Sequence, residues 1–335
     1  MNKNFFDKSC GSMIGLAIGD ALGASVEFMP RGSFKPIVSY RDGGKFNLSA
    51  GDYTDDTAMA LCLADSLIRN NGTNLQHQLA NYTKWLNEGF MSSTGGKAVG
   101  CGKNTFLSIL AYMKTSQVKA SSTKNKKRVG NGSLMRIAPI SIFYRNDLFS
   151  AMSTTNESSY TTHALQICAD ACMVYTTLIY GVLNSASKEE ILSQNTANCI
   201  LNNVIDNYEF DKNIAHILCG SYKKKAINDI KSGGYVANSL EAALWCFYTT
   251  NSFKEGVLKA VNLGYDSDTV GAIYGMLAGA YYGLSDSDKD FKENLTNFDL
   301  IYTIAKKLIE RSKKCNSIDV NGGVKIGRYN ILKDL

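Results

Sequence analysis

The chain has 335 residues, of which 44% are hydrophobic and 20% are charged, a balance that excludes an intrinsically disordered protein. Its net charge of +6 is compatible with binding of an anionic small molecule or of a polyanion, and it does not distinguish between the two. Only 3 prolines accompany 29 glycines, which favours a mostly helical fold because helix interiors tolerate glycine better than proline.

Cysteine and charge patterns bear on where the protein resides. Its 9 cysteines form no Cys-x-x-Cys pair, which indicates reduced thiols and a cytoplasmic location. The N-terminus lacks the apolar segment of a signal peptide, and the longest uncharged stretches, 171–187 and 269–285, fall short of the about 20 apolar residues of a membrane span. The basic run at 124–128 lacks interleaved aromatic residues, so we expect neither a membrane nor a nucleic acid as a partner.

The predicted elements follow one another without a repeat or a linker. A segment with glycine at every fourth position comes first, from Gly11 to Gly23, and a second runs from Gly271 to Gly283. Apolar residues recur at helical spacing in four further segments, 58–68, 165–183, 214–230 and 300–309. Irregular stretches occupy 30–53, 89–102, 114–132 and 233–239. We therefore predict an all-α protein with a single domain over residues 1–335, whose loops converge on one site.

The two glycine-periodic segments need a packing reason, since each glycine inside a helix costs about 1 kcal/mol relative to alanine. Glycines four residues apart leave one helix face nearly bare, so that another helix can approach closely. We predict that the helix ending near Glu27 lies antiparallel to the helix beginning at Thr269. Glu27 would then lie beside Asp266 and Asp268.

Two short acidic motifs carry the strongest chemical signal, TDDT at 54–57 and DSDT at 266–269, each before a predicted helix. Capping a helix needs one side-chain oxygen and leaves the second carboxylate of each motif unexplained. Four carboxylates with threonine hydroxyls offer the oxygen ligands that Mg²⁺ or Mn²⁺ prefers. Helix capping remains the alternative, because the sequence does not show that the two motifs meet.

Other polar residues lie at glycine-rich places. The GNGS turn at 130–133 has backbone N–H groups that could hold a phosphate, although Asn-Gly is first of all a turn. Gly100-x-Gly102 is a weaker signal of the same kind. His163 lies at a helix start, where a structural role is more common, and we interpret His77 and His216 as structural.

Five motifs occur in the order found in the ADP-ribosylglycohydrolase family: GLAIGDALGASVEFMP, YTDDTAM, GNGSLMRIAPI, TTH and GYDSDTVGAIYGMLAGAYYG. The chain resembles that family from about residue 10 to residue 285. Members release ADP-ribose from arginine or serine side chains, among others.

The resemblance implies an all-α globule with a binuclear metal centre and two divalent cations, Mg²⁺ or Mn²⁺, as cofactors. The implied metal ligands are Thr54, Asp55, Asp56, Asp266, Asp268 and Thr269. Glu27, Asp55 and Asp268 are the implied catalytic residues, with Glu27 as general acid or base. The candidate substrate-binding residues are Asp20, Gly100, Gly102, Gly130, Asn131, Gly132, Ser133, Met135, His163 and Tyr265.

The implied reaction is hydrolysis of the bond between C1″ of ADP-ribose and a protein side chain, so the expected partner is ADP-ribose or an ADP-ribosylated protein. Arginine-directed members often carry an aspartate in a D-I-G stretch where this chain reads Gly100-Cys101-Gly102, which leaves the acceptor open. Tyr265 stands where glycine is common and would narrow the mouth of the site. A catalytically silent ADP-ribose-binding protein and a dimetal phosphohydrolase are the alternatives.

Overall fold

Helices form most of the regular structure in the computed structural model, which describes residues 3–120, 129–203, 208–285 and 288–312 and the short segments 325–326 and 329–330. The helices in these ranges are α1 (Lys3–Gly23), α2 (Asp55–Asn70), α3 (Leu75–Glu88), α4 (Lys103–Thr115), α5 (Ala138–Phe143), α6 (Leu148–Tyr160), α7 (Gln166–Leu183), α8 (Lys188–Ile191), α9 (Gln194–Asn203), α10 (Lys212–Leu218), α11 (Val236–Tyr248), α12 (Phe253–Val261), α13 (Ser267–Tyr282), α14 (Lys289–Glu293) and α15 (Phe298–Arg311). Two antiparallel strands of two residues each, β1 (Lys325–Ile326) and β2 (Tyr329–Asn330), are the strands of the described segments. The all-α prediction is confirmed.

The pair formed by α1 and α13 is the centre of the fold. Gly11, Gly15 and Gly19 of α1 lie against Gly279, Gly275 and Gly271 of α13, and a Cβ on any of the six would overlap a backbone carbonyl of the other helix. The order of these contacts makes the two helices antiparallel. The packing predicted from the glycine spacing is therefore confirmed.

The ends of this pair differ from the prediction in two details. The α-helix stops at Gly23, and a short 3₁₀ helix, Ala24–Val26, carries the chain to Glu27. Gly283 ends α13 with a φ of +68°, and a Cβ there would meet no atom within 4 Å, so close packing does not require glycine at this position. At the other end, Gly23 packs against Ser267 and Asp268 rather than against a glycine.

Further helices surround this pair in one apolar core that runs from Phe5 to Ile309. Helix α13 contacts α7, α11 and α12, while α1 contacts α2 and α15. The two apolar helices Asn4–Val26 and Gln166–Leu183 are long enough to cross a membrane, yet 94% of each apolar window is buried inside the protein. Packing against neighbouring helices accounts for their composition.

Three of the predicted helical segments lie within α2, α7 and α15. The prediction for 214–230 was wrong, because α10 ends at Leu218 and Gly220 then adopts a left-handed φ of +91°, after which two 3₁₀ turns follow. The irregular stretch predicted for 233–239 is shorter than expected, since α11 begins at Val236. The basic run at 124–128 lies outside the described residues. No disulfide joins cysteines of the described ranges.

Candidate active site

Six acidic side chains gather at one end of the α1/α13 pair, and we call them the carboxylate cluster: Asp20, Glu27, Asp55, Asp56, Asp266 and Asp268. Asp55 and Asp56 are the first two residues of α2, and Asp266 and Asp268 lie at the start of α13. Because α1 and α13 are antiparallel, the chain beyond α1 and the start of α13 meet at this end. The structure thus brings the two acidic motifs together with Glu27, as predicted.

Two sets of three carboxylates are close enough to share a cation. Oxygens of Asp20, Asp56 and Asp268 lie within 4.8 Å of one another, and so do oxygens of Glu27, Asp266 and Asp268. Asp268 belongs to both sets, so it joins them. Such oxygen-only surroundings suit a hard divalent cation.

Asp20 fixes the first acidic motif in place. Its Oδ1 accepts hydrogen bonds from the backbone N and Oγ1 of Thr54, at 2.9 and 2.7 Å. Its Oδ2 accepts from the N and Oγ1 of Thr57, at 2.9 and 2.6 Å. Thr54 Oγ1 also lies 3.3 Å from Asp56 Oδ2 and 3.4 Å from Asp268 Oδ2. The start of α2 is therefore held by a carboxylate from α1.

Glu27 lies beside the start of α13. Burial, followed by repulsion from Asp268, Asp55 and Asp266, raises the pKa of Glu27 to about 11. Hydrogen bonding with the Asp268 side chain is a further cause that raises the pKa of Glu27 and lowers that of Asp268. In the absence of a cation, burial and these neighbours therefore favour a protonated Glu27.

The remaining members of the cluster are also costly to ionise. Burial first, and neighbouring carboxylates second, raise the pKa of Asp55, Asp56 and Asp268 well above the usual range. The buried atoms Asp56 Oδ1 and Glu27 Oε2 have no hydrogen-bond partner. Unsatisfied carboxylate oxygens and mutual repulsion are both relieved when a divalent cation binds. The residues present therefore fit a metal site, with the cluster and the hydroxyls of Thr54 and Thr269 as the available ligands.

A cleft of about 740 Å³ opens beside the cluster. Its lining includes these predicted site residues: Glu27, Asp55, Gly100, Gly102, Gly130, Asn131, Gly132, Met135, His163, Tyr265, Asp266, Asp268 and Thr269. This volume is within the range of small-molecule sites. The acidic motifs, the GNGS turn and His163 therefore face one space.

The GNGS turn contacts the cluster through its asparagine. Asn131 Nδ2 donates to Asp266 Oδ2 at 2.6 Å and to Ser239 Oγ at 2.8 Å. Gly130 pairs with Tyr235 in an isolated β-bridge, and Asp266 N donates to Ser232 O at 2.9 Å. These contacts join three loops into one wall of the cleft and orient the Asp266 carboxylate.

The family model for ADP-ribosylglycohydrolase matches residues 1–317. The chain belongs to the ADP-ribosylglycohydrolase family. It is 32% identical to the ADP-ribosylarginine hydrolase Tri1 of Pseudomonas putida (strain GB-1) over 93% of this chain and 81% of that protein. It is 27% identical to the ADP-ribosyl-[dinitrogen reductase] glycohydrolase of Rhodospirillum rubrum, over 84% of this chain and 87% of that one.

A solved structure described as an ADP-ribosylglycohydrolase-related protein complex has the same fold, with a TM-score of 0.80 and 32% sequence identity. The match covers 93% of this chain and all of that chain. The glycine-packed pair and the carboxylate cluster of this chain therefore lie within an ADP-ribosylglycohydrolase fold.

In this family member, His163 is held by a buried hydrogen-bond chain. Arg136 is fully buried and its Nη2 donates to Thr162 Oγ1 at 2.8 Å, while Thr162 Oγ1 lies 2.9 Å from His163 Nδ1. Thr162 Oγ1 has one hydrogen and two lone pairs, so it can donate to Nδ1 while it accepts from the arginine, and that arrangement keeps the ring proton on Nε2. Burial first, then the Arg136 charge, lowers the pKa of His163 to about 3. His163 is therefore a neutral ring, and its Nε2–H can donate to a ligand when Thr162 donates to Nδ1.

The first turn of α4 contributes cleft residues that the sequence analysis missed. Lys103, Asn104 and Thr105 line the cleft, and Gly102 is the residue before the helix. A helix N-terminus with a lysine favours an anion. The signal was present in Gly102-Lys103 followed by an apolar stretch, but residues 103–115 were not recognised as a helix.

Four predicted site residues do not line the cleft: Asp20, Thr54, Asp56 and Ser133. Asp20 is fully buried and is not among the cleft residues, and its four hydrogen bonds position α2. Ser133 is buried too, and its Oγ accepts from Ser159 Oγ at 2.9 Å. Gly100 has a left-handed φ of +87°, and a Cβ there would overlap the Asp55 carboxylate. An aspartate at this position, as in the D-I-G stretch, would be strained and would require the Asp55 side chain to move.

Proposed function

We propose that this family member hydrolyses the bond between C1″ of ADP-ribose and the side chain of a modified protein. One observation carries the proposal: a single cleft is lined both by acidic groups and by groups suited to an anion. The acidic groups belong to the carboxylate cluster. The groups suited to an anion are the GNGS turn, the His163 ring and the start of α4.

The GNGS turn, His163 and the start of α4 would hold the diphosphate of ADP-ribose. His163 offers a neutral N–H donor, and the N-terminus of α4 with Lys103 favours negative charge. The distal ribose would then lie toward the cluster, with C1″ near Glu27, Asp55 and Asp268. Carboxylates near C1″ stabilise the positive charge that develops there as the bond breaks.

In this reaction the bond from C1″ to the acceptor breaks and a water oxygen bonds to C1″. One proton of that water ends on the acceptor atom. Glu27 lines the cleft with a carboxyl group that readily holds a proton, so it is the candidate to carry that proton. Divalent cations bound by the cluster, Mg²⁺ or Mn²⁺, would supply a water of lowered pKa and hold the ribose hydroxyls.

One incubation separates this proposal from its two alternatives. An ADP-ribosylated protein with Mg²⁺ should yield free ADP-ribose and the unmodified protein. Release of AMP would instead support a phosphohydrolase acting on the diphosphate. Binding of ADP-ribose with no product at any protein concentration would support a silent binding protein and contradict hydrolysis.

The acceptor linkage needs its own comparison. Arginine is the first linkage to test because two similar proteins are ADP-ribosylarginine hydrolases by name. Serine-linked and O-acetyl-linked ADP-ribose should be assayed beside it, since Gly100-Cys101-Gly102 places no carboxylate where arginine-directed members often have one. The acceptor class would be identified if one linkage is hydrolysed about tenfold faster than the others. Such a ratio corresponds to about 1.4 kcal/mol of discrimination.

A further inference from the structure

Two exposed aromatic rings flank the mouth of the cleft, each next to a cluster carboxylate in sequence. Phe28 follows Glu27 and is 60% exposed, and Tyr265 precedes Asp266 and is 48% exposed. The backbone N of Phe28 donates to the Tyr265 carbonyl, and Tyr265 N donates to Met29 O at 2.7 Å. The two rings are therefore held by one backbone pairing.

The backbone at both positions would suit glycine better. Phe28 has φ +66° and Tyr265 has φ +59°, in the left-handed region that bulky residues disfavour. Strained residues of this kind are kept mainly where a function needs their side chains. Exposed rings at the cleft mouth point to contact with a molecule that reaches in from solvent.

A groove continues from the cleft beyond Tyr265. It has a volume of about 550 Å³ and shares Tyr265 and Gly233 with the cleft. Its other lining residues are Arg31, Asn228, Ile230, Lys231, Ser232 and Asn238. A molecule too large for the cleft could extend into this groove, because the two share Tyr265 and Gly233.

The groove has a positive wall. Arg31 donates to the carbonyl oxygens of Ile227, Ile230 and Leu263, so its guanidinium is fixed there. Lys231 is exposed and forms no ion pair among the described residues. The nearby Asp229 carboxylate accepts from the backbone N of Ala226 in its own turn. The lining itself contains two cations and no acidic side chain.

We propose that this groove binds the polypeptide next to the modified residue and favours acidic side chains there. The inference rests on the proposed function, because ADP-ribose in the cleft would place the acceptor at the carboxylate side. Phe28 and Tyr265 line the cleft and are exposed, so the acceptor segment would leave the cleft past their rings. Tyr265 contacts the acceptor segment, and Lys231 pairs with an acidic residue beyond it.

The test uses the full chain and three probes: ADP-ribose, and two ADP-ribosylated peptides that differ only in flanking glutamates or lysines. Binding is measured by calorimetry with a chelator present, so that no turnover is needed. The glutamate peptide should bind more tightly than the lysine peptide by about two- to fivefold, which is typical of exposed ion pairs. Lys231→Glu should abolish or reverse this preference. Lys224→Glu makes the same change of charge on an exposed lysine outside the groove, so it should keep the preference.

A second variant tests the contribution of the Tyr265 side chain to peptide binding. Tyr265→Gly suits the left-handed backbone, so the variant should fold, and it should weaken peptide binding about three- to tenfold more than ADP-ribose binding. Equal binding of the two peptides by the unmodified chain would overturn the groove proposal, as would a Lys231→Glu variant with unchanged preference. Failure of the proposed function can be distinguished from failure of the groove proposal. In the first case the Mg²⁺-loaded chain would release no ADP-ribose, although the binding measurements would still show whether the glutamate peptide is preferred.

Discussion

Gly19 and Gly271 meet backbone to backbone, and a Cβ on either residue would overlap the carbonyl oxygen of the other. The same contact recurs between Gly15 and Gly275. This close approach fixes the register of α1 against α13. It thereby sets Glu27, four residues after the end of α1 at Gly23, beside Asp268 near the start of α13.

Replacing a glycine in this contact should separate the two helices. We expect Gly275→Ala to lower the free energy of unfolding by about 1–3 kcal/mol, because a methyl group must fit where backbone atoms now lie. Hydrolysis should fall as well, since a shift near 1 Å in a site can cost about a hundredfold in rate. Urea unfolding measures the first effect. Gly233→Ala is the matched control for stability alone, because a Cβ at Gly233 meets no atom within 4 Å but the residue lines the cleft. Equal stability of the two variants would contradict this packing.

Asp268 belongs to both sets of carboxylates, so its charge should matter most for cation binding. We expect Asp268→Asn to weaken Mn²⁺ binding at least about tenfold. Without metal, the same change should raise the melting temperature, because it removes one of several repelling charges. Calorimetric titration and thermal unfolding in a chelator measure the two effects. Asp7 is exposed and lies near the start of α1, at the end of the helix away from the cluster. Asp7→Asn should therefore change neither the Mn²⁺ affinity nor the melting temperature. Wild-type Mn²⁺ affinity in Asp268→Asn would refute the metal assignment.

The pH dependence of stability follows from the raised pKa of the cluster. Folding raises the pKa of Glu27 from its usual value near 4.5 to about 11, so the folded chain binds more protons than the unfolded chain between these values. Protonation of Glu27 stabilises the folded chain fully below about pH 4.5, and this stabilisation is lost as the pH rises toward about 11. Chelator-treated protein should thus melt at a lower temperature near pH 8.5 than near pH 5.5. Saturating Mg²⁺ should remove most of this difference, and a metal-free protein that becomes more stable with rising pH would contradict the account.

Thr162 should control the tautomer of His163. Thr162→Val removes the hydroxyl between Arg136 and the imidazole, so the proton should no longer be restricted to Nε2. Affinity for ADP-ribose should fall about two- to tenfold, the net value of one hydrogen bond. Thr162→Ser should restore both. With 3 histidines in the chain, nitrogen NMR of isotope-labelled histidine can report the tautomer directly. An unchanged His163 signal in Thr162→Val would show that the threonine does not set it.

Ligand-linked stability distinguishes recognition of ADP-ribose from recognition of adenine nucleotides in general. A ligand at a hundredfold excess over its Kd stabilises the folded state by about 2.7 kcal/mol. ADP-ribose with Mg²⁺ should raise the melting temperature more than AMP does at the same concentration. Equal shifts would mean that the distal ribose is not bound, and the carboxylate cluster would then lie outside the ligand site.

Much of this protein could be predicted from its sequence because the relevant signals are local or periodic. The spacing of Gly11 to Gly23 and Gly271 to Gly279 indicated two closely packed helices, since only glycine leaves a helix face bare enough for that contact. The paired carboxylates of the TDDT and DSDT motifs indicated chemistry beyond capping. The cytoplasmic location and the single domain remain predictions from composition and pattern.

Other features of the fold and of the site depend on the tertiary structure and could not be predicted from these local signals. Asp20 proved to be a support for α2, because both its oxygens face backbone and hydroxyl donors that lie far away in sequence. The break after Leu218 depends on the left-handed backbone of Gly220, which a periodic apolar pattern does not reveal. Lys103 and the groove beyond Tyr265 entered the site only when loops remote in sequence packed together. Packing across the whole core determines which side chains line the same cleft. The local sequence does not reveal how close two residues far apart in the chain will lie.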